Sequence, residues 1–108
     1  DFTYIDNVLQ MNYLALTITN PKAFNQVYNT AVGQRVSILE MANLIIEELQ
    51  KRVPGLKKIK VNFGPERSGD VKHSQANIEK ARTLLGYSPN NSFKEGLTAS
   101  LDWYIRNL

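Results

Sequence analysis

Two Ser-x-x-Glu tetrads constrain this chain more than any other feature in it. In Ser37-Ile38-Leu39-Glu40 and Ser92-Phe93-Lys94-Glu95, the serine oxygen can accept from the backbone N–H three residues on. The glutamate can reach back to the serine's own N–H. This reciprocal box fixes where a helix begins. Behind the first box, Ile38, Met41, Ala42, Ile45 and Leu49 fall on one helical face, and Pro54-Gly55 closes the helix. Behind the second, Phe93, Leu97, Leu101, Tyr104 and Leu108 form the apolar face.

Two further helices are expected. Asn77 can cap a short one carrying Ile78, Ala81, Leu84 and Leu85, with Gly86 as its stop. Asp6 can cap a longer one running to about Thr19, ended by Asn20-Pro21. The longer run is apolar nearly all round, which predicts burial on more than one side. Gln26–Val32 reads as a strand followed by a turn at Gly33. Lys58–Phe63 alternates cleanly, with Ile59, Val61 and Phe63 on one side and Lys58, Lys60 and Asn62 on the other, the pattern of a half-buried strand. The expected fold class is therefore α/β, with about four helices and two or three short strands.

A chain of 108 residues can build one core. No stretch approaches the length of a membrane span, and no basic start leads into an apolar run. With no cysteine, disulfides, thiolate ligands and a cysteine nucleophile are excluded, which suits a cytoplasmic protein. The chain opens at Asp1-Phe2-Thr3-Tyr4 without methionine, so the expectation is a fragment of something longer. The net charge of +3 gathers partly in Lys51, Arg52, Lys57, Lys58 and Lys60. That cluster reads as a solvated helix end and strand face, and nucleic-acid binding would ask for a broader basic surface or interleaved aromatics.

Catalytic groups are hard to find. His73 is the single histidine, so a His-rich metal site is impossible. The glycines are too widely spaced to cradle a pyrophosphate. No tyrosine is followed four residues later by a lysine. The expectation is no catalytic, cofactor-binding or metal-binding residue in this chain.

Binding groups are easier to see. In Pro65–Ser74, Arg67 offers a planar fork suited to phosphate, Gly69 permits a tight turn, and Asp70 could accept from vicinal hydroxyls. On spacing alone an Arg-x-Gly-Asp loop is more often an ordinary turn with an ion pair. Gly33-Gln34-Arg35 also lies between an expected strand and a helix start, where an anion is favoured.

In order, Asp1-Phe2-Thr3-Tyr4-Ile5-Asp6-Asn7-Val8, Val27-Tyr28-Asn29, Arg67-x-Gly69-Asp70, His73-Ser74, Ala81-Arg82-x-Leu84-Leu85-Gly86-Tyr87-x-Pro89, Glu95-Gly96-Leu97 and Trp103-Tyr104 resemble the C-terminal third of NAD-dependent nucleotide-sugar epimerases, of the extended short-chain dehydrogenase/reductase family. The resemblance covers essentially residues 1–108. It implies a longer isomerase whose missing N-terminal Rossmann domain holds NAD and the acid/base pair, that acts as a homodimer, and whose C-terminal part grips a UDP-sugar. It assigns the diphosphate to Arg67 and the ribose to Asp70. It matches Arg35 to a phosphate-side arginine of the branch acting on N-acetylated sugars. Ser74 stands where a bulky tyrosine tends to occur in enzymes limited to UDP-glucose and UDP-galactose. A small residue there favours UDP-N-acetylglucosamine. Within the family the alternatives are a UDP-glucose 4-epimerase or a related decarboxylase or dehydratase. Outside it stands a free-standing, non-catalytic α/β binding module. The isolated chain is expected to be inactive, to bind no NAD by itself, and to have no nucleic-acid or membrane partner.

Overall fold

The computed structural model describes residues 1–107. Four α-helices, α1 (Ile5–Thr17), α2 (Ile38–Arg52), α3 (Glu79–Leu85) and α4 (Phe93–Asn107), are joined by a 3-10 turn (Pro21–Ala23) and extended loops.

Local chemistry sets the helix ends. Ser37 and Glu40 form the full reciprocal box of α2. At α4, the Ser92 N–H donates to Glu95 Oε2 at 2.8 Å and Glu95 N–H to Ser92 Oγ at 3.3 Å. Gly86 ends α3 in the left-handed conformation at φ 69°, which costs a residue with a Cβ about 1–2 kcal/mol. Two caps differ from expectation. α1 starts one residue before Asp6, with Tyr4 at the cap position and no side-chain bond. Asn77 caps α3 from one position further out, accepting from Glu79 N–H at 2.8 Å.

The fold class expected from the sequence is corrected: among the described residues there is no strand and no sheet. A strand exists only where a neighbour completes its ladder, and neither extended segment has one. In residues 26–32, hydrogen bonds that involve side chains take the place of a ladder. Ala31 O accepts from the buried Tyr87 hydroxyl at 2.9 Å, and Val32 N–H donates to Asp1 Oδ1 at 3.1 Å. Asn29 Nδ2 donates to Asn77 O at 3.0 Å. The alternation of residues 58–63 is equally real in sequence, yet Phe63 is 80% exposed and only Val61 of that apolar face is half-buried.

The core is small. Met11, Ala23, Ala31, Ile78, Ala81, Leu85 and Tyr87 form one buried cluster, with Leu14, Ile18 and Tyr28 packed against it. α1 enters it through Met11 and Leu14, and Ile18 just past the helix end continues the same stripe at helical spacing, which the buried Asn7 begins. The stripe on the opposite side, Ile5, Leu9, Tyr13 and Leu16, is exposed, Leu16 to 86%. Burial on more than one side is therefore not found within residues 1–107. The radius of gyration is 17.4 Å, against about 13 Å for a compact chain of this length. The molecule is a slab of 55 × 35 × 18 Å with apolar groups on its faces.

Away from the core, α2 packs on α4. Glu48 on α2 is buried and receives Lys51 Nζ at 2.8 Å together with Arg52. Arg52 Nε also reaches Asp102 on α4 at 2.9 Å. These cationic donors hold the Glu48 carboxyl down at about 2.

Candidate functional site

Asp1 organises the loops. Its carboxylate accepts three backbone N–H groups: Val32 at 3.1 Å, Gly33 at 2.9 Å and Ala76 at 3.3 Å. Its own nitrogen donates to Ser74 O at 3.0 Å. One residue thereby joins the loop before α2 to the loop before α3. Gly33 sits at φ 77°, a backbone conformation that favours glycine, and a Cβ there would also press on Ile78 Cδ1 at 3.3 Å.

Arg35 projects from the first of these loops. Its Nε donates to Gln75 Oε1 at 3.1 Å, and Gln75 Nε2 donates onward to Gly33 O at 2.6 Å. Arg35 lines two adjoining hollows. One, of about 610 Å³, also takes in Gly33, His73, Asn77, Glu79 and Arg82. The other, of about 300 Å³, takes in Ser37, Glu40, Lys72, His73 and Ser74. Both His73 and Ser74 are exposed. The Glu40 carboxyl on this wall is held below the usual carboxylate range, first by the Ser37 backbone N–H and then by its hydroxyl.

Arg67 and Asp70 lie further along the second loop. Asp70 N–H donates to Arg67 O at 3.3 Å, closing a four-residue turn. Gly69 occupies the third position at φ 86°, as a type II turn requires. The two side chains line a third hollow of about 700 Å³ with Ile38, Glu66, Val71 and Lys72. Lys72 pairs loosely with Glu66 at 3.5 Å and borders both this hollow and the one holding Ser74.

The structure thus brings Arg35 and Ser74 to one hollow and Arg67 and Asp70 to another, with Lys72 between. The two arginines do not line the same hollow. The hollows offer guanidinium groups, the Lys72 ammonium and, in the tight turn, a carboxylate, a chemistry suited to an anionic ligand that also carries hydroxyls. Sequence reasoning missed two residues here. Asp1 was part of the quoted opening segment, but nothing in the spacing shows that it ties two loops together. Gln75 had no signal at all.

The described chain has no strand leading through a glycine-rich turn into a helix. Nor do its described residues gather three groups able to hold a metal ion.

No family model matches the sequence. Individual proteins do. A UDP-glucuronate 4-epimerase of Thermodesulfobacterium geofontis is 33% identical over 109 residues, 100% of this chain and 31% of that protein. A dTDP-L-rhamnose 4-epimerase of Burkholderia thailandensis is 30% identical over 108 residues, 100% of this chain and 28% of that protein. An uncharacterized UDP-glucose epimerase of Bacillus subtilis is 31% identical over 98 residues, 91% of this chain and 28% of that protein. The chain spans about three tenths of the length of these relatives. These relatives are named as nucleotide-sugar epimerases, and nine tenths or more of the chain corresponds to a C-terminal part of them.

Proposed function

We propose that this chain is the substrate-gripping part of an NAD-dependent UDP-sugar 4-epimerase, with Arg67 on the diphosphate, Asp70 on the ribose, Arg35 on the phosphate side and Ser74 toward the sugar. The observation that carries the reading is the similarity, over the whole of this chain and about three tenths of each relative, to proteins named as 4-epimerases of UDP- and dTDP-sugars. The hollow beside the Arg67–Asp70 turn supports it, since a guanidinium suited to phosphate and a carboxylate able to accept from hydroxyls both line it. The acid/base pair and NAD belong to the longer enzyme, as do its dimer and its cytoplasmic setting. When bound there, NAD takes up and returns the hydride at C4 of the sugar, while this part supplies grip and orientation.

The preferred sugar in this proposal is UDP-N-acetylglucosamine. Ser74 supports it, being a small side chain on the wall of a hollow of about 300 Å³, where an acetamido group would need room.

Titration of UDP into the chain tests the grip. Arg67→Ala should weaken binding by roughly tenfold to a hundredfold, since a charge-assisted hydrogen bond is worth about 1.5–3 kcal/mol. Equal affinity of wild type and Arg67→Ala would remove Arg67 from the site.

A further inference from the structure

We infer that Gln75 is a positioning residue for Arg35, holding its guanidinium in place before the ligand arrives. The inference rests on the UDP-sugar reading, and it adds a residue that neither the sequence pattern nor that reading assigns.

Gln75 is held from both sides. The residue before it, Ser74, accepts at its carbonyl from the Asp1 nitrogen at 3.0 Å, and the residue after it, Ala76, donates its N–H to Asp1 Oδ2 at 3.3 Å. The same carboxylate fixes the opposite loop through Val32 and Gly33. Gln75 therefore leaves a pinned backbone and spans to a second backbone pinned by the same residue. Its amide uses both ends: Nε2 donates to Gly33 O at 2.6 Å and Oε1 accepts from Arg35 Nε at 3.1 Å. The donor bond sets which way the amide faces, so the acceptor oxygen is turned to Arg35.

This matters because arginine is a long side chain with much rotamer freedom to lose. Arg35 is exposed. A guanidinium already anchored at Nε keeps its two Nη groups for a bidentate anion and loses less freedom on binding. Glutamine suits the task because it accepts from the guanidinium without neutralising it. A glutamate there would satisfy Nε but could not donate to Gly33 O, and its charge would compete with the ligand.

The test combines a signal from Arg35 itself with UDP affinity, using the full chain. In wild type, the Arg35 Nε–H resonance should be resolved by nitrogen-15 NMR and slow to exchange with solvent. Gln75→Leu removes both amide bonds and should average that resonance away, while the melting temperature stays near wild type. Gln75→Glu keeps the acceptor and should retain the resonance. UDP affinity should fall in Gln75→Leu about as far as in Arg35→Ala, roughly tenfold, and the double variant should be no weaker than Arg35→Ala alone, the mark of two residues acting as one. An Arg35 resonance unchanged in Gln75→Leu, or losses that simply add, would overturn the inference. Should UDP affinity be the same in wild type and Arg35→Ala while Gln75→Leu still releases the resonance, the geometric half stands and the ligand reading of Arg35 falls.

Discussion

Asn7 and Asn91, 84 positions apart, exchange two hydrogen bonds: Asn7 Nδ2 donates to Asn91 O at 2.8 Å, and Asn91 N–H donates to Asn7 Oδ1 at 3.0 Å. The Asn7 side chain has no exposed surface, so its amide acts as a buried peptide-like partner that ties α1 to the turn before α4. Next to it, α4 approaches the chain start closely enough that Gly96 is buried against Tyr4. These contacts set the angle at which the last helix leaves the small core.

Asn7→Ala should therefore be costly. It deletes both bonds and leaves the Asn91 backbone N–H and carbonyl without that partner in a largely covered place. The expected loss is about 1–3 kcal/mol, read as a lower midpoint in urea with unchanged slope. A change within about 0.5 kcal/mol, the range typical of surface substitutions, would mean that the pair is dispensable.

Gly96→Ala makes a second test of the same junction. Helix propensity alone favours alanine by about 1 kcal/mol. Here the added Cβ would overlap Tyr4 Cβ and lie 2.7 Å from Tyr4 Cγ, which forces a backbone shift. The net effect should be destabilising by about 1–3 kcal/mol. Combining it with Tyr4→Gly should recover much of the difference between the Gly96→Ala and wild-type backgrounds, because the obstructing atom is gone. A more stable Gly96→Ala protein would show that α4 is not seated on Tyr4.

Stability should fall in acid through Glu48. Hydrogen bonds from Lys51 and then Arg52 keep its folded carboxyl at about 2, against an ordinary 4.5. The unfolded chain takes up the proton first, so the contribution is fully present above about pH 4.5 and is lost as pH falls from there toward 2. Glu40 and Glu95, whose carboxyls are lowered by hydrogen bonds from Ser37 and Ser92, act in the same direction. Melting curves across pH 2–6 should show a shallower acid slope for Glu48→Gln than for wild type. Parallel slopes would mean that the Glu48 pairs contribute nothing to folding.

Sugar preference should respond to Ser74. In the proposed full-length enzyme, Ser74→Tyr fills the hollow beside Arg35, and overpacking of this kind typically costs about 1–3 kcal/mol. The cost should fall on UDP-N-acetylglucosamine and spare UDP-glucose, so the ratio of their kcat/KM values should drop by tenfold or more, about 1.4 kcal/mol. If both values fall together, Ser74 supports the loop and does not select the sugar.

The exposed stripe of α1 predicts self-association of the isolated chain. Ile5, Leu9, Tyr13 and Leu16 are each more than half exposed on one face, and a contiguous apolar face in water favours contact with another such face. Light scattering should show species larger than a monomer at high concentration, and Leu9→Lys with Leu16→Lys should shift the population toward monomer. A wild-type chain that remains monomeric under these conditions would count against it.

How much could be read from the residues alone depended on the range of the interaction. Both capping boxes, the Gly86 stop and the Gly69 turn were legible, because each is decided within about four residues by backbone geometry and a side chain that reaches its own neighbours. The paired occurrence of Arg67 and Asp70 at one groove follows from that same short turn. The strands were misread for the opposite reason. Alternation at Lys58–Phe63 specifies which side chains share a face, but a ladder needs a second segment, and the described chain supplies none. The helical run of residues 6–19 likewise carried two apolar stripes, and only packing decided that the Met11 stripe enters the core while the Leu16 stripe stays outside. Tertiary structure alone placed Asp1 against Gly33 and Ala76, Gln75 against Arg35, and Asn7 against Asn91. Each of these bonds joins residues 32 to 84 positions apart, and closing such loops is a property of the whole fold, which no local pattern of residue types encodes.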